Sequence, residues 1–152
     1  MLKTILAALD ESKLAEQVIQ IVTQLQLKPE TKVVLSHVIP AVGDAPTIGA
    51  DLPRHNAQEL PYRHIEKQLQ IYQAHLPCQS DLEIVSGDPA EEIIRLANIY
   101  QVDLIVLGSR GLTGLDRIVQ RSVSGQVVAE APCSVLVVKP RPESEIGADA
   151  TN

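Results

Sequence analysis

Aromatic side chains are nearly absent from this 152-residue chain: it has no Phe, no Trp and only Tyr62, Tyr72 and Tyr100. The core must therefore be aliphatic, and the stacking platforms that hold single-stranded nucleic acid are missing. Positive charge is also sparse. The 13 Lys and Arg against 19 Asp and Glu leave a net charge of −6, which argues against a binder of phosphate backbones. That acidity still permits a mononucleotide, because a single loop can be locally positive. Cysteine is limited to Cys78 and Cys133, without Cys-x-x-Cys spacing, so neither a zinc site nor a disulfide framework is expected. His37, His55, His64 and His75 show no metal-ligand spacing. No apolar run reaches the length of a membrane span. The apolar start, ending at Leu9, is too short for a signal peptide and runs into Asp10 and Glu11. The composition predicts a soluble, cytoplasmic protein without nucleic-acid or membrane partners.

What is present is an alternation of short β-branched runs with amphipathic helical segments, the pattern of a parallel α/β sheet. Strands are predicted at Thr4–Leu9, Thr31–Ile39, Leu82–Val85, Leu104–Leu107 and Ser134–Lys139. Between the first two, Leu14, Val18, Ile21, Val22 and Leu25 recur at helical spacing, with Asp10 and Ser12 offering cap oxygens. Residues Pro40 to Pro61 are rich in Pro, Gly and Ala and read as a long loop, the kind often used as a lid. Helical periodicity resumes from Tyr62. Asp88 and Pro89 mark the cap and first position of the next helix, and Val123–Ala131 is the last helix, stopped by Pro132. Residues 1–140 form one domain, and the small, charged stretch 141–152 reads as a disordered tail. Five strands with intervening helices give an open doubly wound sheet, which takes ligands beyond the strand carboxyl ends where strand order reverses.

The most informative segment is Gly108-Ser-Arg-Gly-Leu-Thr-Gly114 with Arg121-Ser-Val-Ser124 behind it. Glycines past a strand end let backbone N–H groups approach an anion, and hydroxyls at a helix start suit a phosphate. The segment reads either as a phosphate cradle or as a tight turn. It lacks the Gly-Lys-Ser ending of a P-loop, and no paired carboxylates, Ser-His-Asp or Cys-His arrangement accompany it. His37, inside an apolar strand, reads as a hydrogen-bonded core residue. Asp10 is open to two readings, helix cap or ligand contact.

The order and spacing of Ile5-Leu-Ala-Ala-Leu-Asp10, Ser36-His-Val38, Gly87-Asp-Pro89, Val102-Asp-Leu-Ile-Val-Leu-Gly-Ser-Arg-Gly111, Ser122-Val-Ser124 and Ala131-Pro-Cys-Ser-Val-Leu-Val-Val-Lys139 resemble the universal stress protein family. The resemblance implies a flavodoxin-like sheet of order 3-2-1-4-5 and a homodimer through Val135–Val138. In the ATP-binding branch, Gly-x-x-Gly is followed after nine residues by Gly and a hydroxyl residue. Gly108, Gly111 and Ser122 match, but Arg121 stands where the third glycine belongs. Its Cβ could close the backbone approach, or its guanidinium could clasp a phosphate.

Carried over by position, Ala8, Leu9, Asp10 and Val38 flank adenine and ribose, and Leu107 borders the sugar. Gly108, Arg110, Gly111, Arg121, Ser122, Val123 and Ser124 surround the phosphates. ATP or AMP is the expected ligand, with Mg or Mn entering only on the phosphates. The expectation is a dimeric stress or energy-status module, whose nucleotide shifts a surface read by a protein partner. The alternatives are a nucleotide-independent interaction module and a slow ATPase.

Overall fold

The computed structural model describes residues 2–40, 54–109 and 122–141, with the side chains of 54–61 excepted. Five strands, β1 (Thr4–Ala8), β2 (Lys32–Pro40), β3 (Gln79–Gly87), β4 (Leu104–Gly108) and β5 (Ser134–Val138), form one sheet of order β3-β2-β1-β4-β5. Every pairing is parallel. The helices are α1 (Leu14–Gln24), α2 (Arg54–Gln73), α3 (Pro89–Ile99) and α4 (Val123–Glu130).

Strand alternation divides the core into two layers. Ile5, Ala7, Val33, Leu35 and Val106 face α1 and α2, where Leu14, Val18, Ile19, Val22, Ile65 and Leu69 meet them. Leu6, Val34, Ile105 and Leu107 face the other way, against Ile93, Leu96 and Ala97 of α3 and Val127 of α4. A sheet covered on both faces explains the nearly continuous apolar runs of its central strands.

The entry to α3 is set by local chemistry. Gly87 has φ of 149°, a conformation in which a Cβ is strained. Asp88 follows as N-cap, its carboxylate accepting from Glu91 N–H at 3.1 Å. Pro89 opens the helix, where its missing donor is not needed.

Two expectations are corrected. The helix predicted from Tyr62 begins at Arg54. Pro61 suggested a boundary because it lacks a donor and clashes with the preceding turn, but flanking Gln58, Glu59 and Leu60 are good helix formers. The rest of the predicted loop, 41–53, lies outside the described residues, as does the predicted tail from 142. The third strand is nine residues long rather than Leu82–Val85. Its polar ends extend because they pair along the whole of β2, from Lys32 with Gln79 to Pro40 with Gly87, and an edge strand tolerates such residues.

Candidate functional site

The crevice begins where β1 and β4 leave the sheet. These strands are neighbours although three helices separate them in the chain, which makes their carboxyl ends the topological switch point. Ala8 is in register with Leu107 on one side and Ser36 on the other. Ala8, Val38, Leu107 and Val123 all join the apolar cluster on the α3–α4 face. Four sequence-predicted residues from four elements thus share one face at one end of the sheet.

Leu9 is placed differently. Its side chain is 5% exposed and packs in the opposite cluster, under α1 and α2. Its backbone is fully engaged: the N–H donates to Ser36 O at 2.8 Å, and the carbonyl is 2.9 Å from His37 Nδ1. His37 is buried, in keeping with a hydrogen-bonded core histidine.

Asp10 does not cap α1. The N-cap is Lys13, without a side-chain cap bond. Asp10 Oδ1 instead accepts from Ser12 N–H at 2.8 Å and from the Ser12 hydroxyl, while Ser12 Oγ accepts from Leu14 N–H at 3.2 Å. The spacing of two residues is that of an Asx turn, in which backbone competes for the carboxylate before the helix can. The second oxygen, Oδ2, has no partner among the described residues. Asp10-x-Ser12 is therefore a small, oriented acceptor at the half-buried exit of β1.

Gly108 closes β4. A Cβ there would lie 2.5 Å from Leu14 Cδ2 and 2.8 Å from its Cγ, so the start of α1 packs directly onto this backbone. The chain stays in the sheet one residue longer, with Ser109 N–H donating to Val138 O at 2.9 Å. Ser122 is the N-cap of α4, its hydroxyl accepting from Gly125 N–H at 2.9 Å. Val123 and Ser124 form the first turn, both half-buried. That turn offers the partial positive charge of a helix start. Arg110, Gly111 and Arg121 lie outside the described residues.

Sequence reasoning named Ser12 as a cap oxygen and His37 as a hydrogen-bonded core residue. It did not anticipate the bond between Asp10 and Ser12, the ties of Ser36 and His37 to the β1 exit, or Leu14 against Gly108. The signal for Ser12 was available in its spacing from Asp10. The others are contacts between residues distant in the chain. Among the described residues, no group of three His, Cys, Asp or Glu is placed to hold a metal ion, and no helix is long and apolar enough to cross a membrane.

Residues 1–139 match the universal stress protein family. Universal stress protein Sll1388 of Synechocystis is 30% identical over 89% of this chain and 96% of its own length. The solved structure of hypothetical protein MJ0577 from Methanocaldococcus jannaschii superposes with a TM-score of 0.80 at 27% identity, covering 94% of this chain and 99% of that one. A universal stress protein family member from Arabidopsis thaliana, solved with AMP bound, shares the fold at 21% identity and a TM-score of 0.53, over 99% of each chain. A match across nine-tenths of the length, on a sheet of order 3-2-1-4-5, leaves one assignment: this chain belongs to the universal stress protein family.

Proposed function

We propose that this protein is an adenine-nucleotide-binding module that takes AMP or ATP at the carboxyl ends of β1, β2 and β4. The observation that carries the reading is the convergence of the half-buried Ala8, Val38 and Val123 around the buried Leu107, an apolar rim at one end of the α3–α4 core, with the oriented Asp10 carboxylate at the exit of β1. Such a rim suits a purine and ribose, and a carboxylate beside it suits a sugar hydroxyl or an exocyclic amine. The capped start of α4, with Ser122 and Ser124, suits the phosphates. Arg110, Gly111 and Arg121 complete the phosphate end in this reading, and any Mg or Mn arrives with the nucleotide. The AMP-bound relative of the same fold supports the ligand class. The module works as a homodimer and signals to a protein partner through a shift between states that bind nucleotide unequally.

Nucleotide released from the denatured, freshly purified protein identifies the ligand, and calorimetric titration with AMP and ATP gives the affinities. We expect Arg121→Ala to weaken ATP more than AMP, by about tenfold, the value of one lost charge-assisted hydrogen bond. One observation favours a second reading, a nucleotide-independent interaction module. Gly108 is already required by its contact with Leu14, so that glycine does not by itself indicate a ligand. A wild type that binds neither nucleotide, with Arg121→Gly gaining ATP affinity, would decide for the second reading.

A further inference from the structure

The β1 exit is held by more than its strand ladder. Three hydrogen bonds reach it from two adjacent residues of β2. Ser36 Oγ donates to Ala7 O at 3.2 Å, Ser36 O accepts from Leu9 N–H at 2.8 Å, and His37 Nδ1 lies 2.9 Å from Leu9 O. A carbonyl only accepts, so the imidazole in this contact carries its proton on Nδ1. Ser36 is fully buried and His37 is 7% exposed, so water competes little with either side chain. The chain leaves Leu9 directly into Asp10, whose carboxylate is turned by Ser12. The Leu9 carbonyl is the last backbone group fixed from the sheet before that turn. An apolar side chain at position 37 would fill the core equally well and leave this carbonyl without its donor.

We infer that His37 is a positioning residue: its Nδ1–H fixes the Leu9 carbonyl and so presets the Asp10 turn for the nucleoside part of the ligand. The inference rests on the nucleotide reading above. His37 touches no ligand in it and acts through Leu9 and Asp10. Without the clamp the β1 exit samples other conformations, and the apparent affinity falls by the fraction that remains competent. The loss should be equal for adenosine, AMP and ATP, because the clamp serves the nucleoside end that all three share.

The test compares His37→Leu, which removes the donor, with His37→Asn, whose amide nitrogen occupies the same branch position as Nδ1. Both are titrated with adenosine, AMP and ATP beside the wild type, with circular dichroism and thermal unfolding recorded for each. We expect His37→Leu to weaken all three ligands by about fivefold to tenfold, the equivalent of one net hydrogen bond. His37→Asn should stay within about threefold of the wild type even where its unfolding temperature has fallen as far as that of His37→Leu. Ligand affinity that follows thermal stability in both variants would overturn the inference and leave His37 a core residue. So would a folded His37→Leu with wild-type affinity. If His37→Leu does not fold, His37→Asn decides alone against His37→Gln, whose donor sits one atom farther out and should weaken binding. A wild type that binds none of the three overturns the nucleotide reading itself, and the inference with it.

Discussion

Gly108 shows how one residue can answer to two demands. In the sequence it is the first glycine of a phosphate-loop pattern; in the fold it is the place where Leu14 of α1 meets the end of β4. The second demand is testable by itself. Gly108→Ala should destabilise the protein by about 1–3 kcal/mol, the usual penalty for an overpacked core position, read from chemical denaturation. In a Leu14→Ala background the same substitution should cost markedly less, because the two side chains then no longer compete for one space. An equal penalty in both backgrounds would mean that Leu14 is not the obstruction. The placement of some candidate residues was legible at this scale: Ala8, Val38 and Leu107 lie toward the carboxyl ends of their strands, as the strand pattern implied. The role of Asp10 was not, because both a cap and an Asx turn need a carboxylate just ahead of a helix. Only the distance to Ser12 separates them.

At the scale of elements, the sequence was clear wherever apolar residues repeat with a regular period. It was obscure where they do not. The central strands and the α1 and α3 faces came through within a residue or two. The first turns of α2 carry no apolar stripe, and the ends of β3 are polar, so neither could be delimited before their partners were known. One tie between elements has a measurable consequence. The Tyr100 hydroxyl, at the end of α3, donates to the Glu83 carboxylate on β3. Lys32 Nζ sits 5.1 Å from the centroid of the Tyr100 ring while pairing with Asp81 at 2.6 Å. The bond to Glu83, and then burial, push the Tyr100 pKa up to about 12. An unfolded tyrosine ionises near 10. Between about pH 10 and 12 the unfolded chain therefore releases a proton that the folded chain retains. The stabilisation is complete below pH 10 and is lost as pH rises through that window. Tyr100→Phe should flatten this alkaline decline in the denaturation midpoint, whereas an unchanged slope would assign the decline to other groups.

At the scale of the whole molecule, β5 is an apolar strand with no neighbour on its outer side among the described residues. β5 ends the sheet, with Val135, Leu136 and Val137 half-buried. Ser109 N–H reaches Val138 O, so Val138 faces β4, and alternation turns the N–H and C=O of Val137 outward. Proline at 137 would then remove an outward donor and leave the β4 ladder intact. If the homodimer forms by pairing of these edges, Val137→Pro should shift sedimentation toward monomer with little change in circular dichroism. A dimer that persists would place its interface elsewhere. Some of the ties that hold the fold lie toward the opposite end of the sheet from the crevice: Asp103 accepts from the Lys3 and Thr4 N–H groups at 2.9 Å each, and Lys32 pairs with Asp81 at 2.6 Å. In the nucleotide reading, exchange of the rim residues Asp10 or Ser122 would leave these ties untouched. If the nucleotide reading holds, members of this fold that no longer bind a nucleotide would still fold, and shared architecture would outlast shared chemistry.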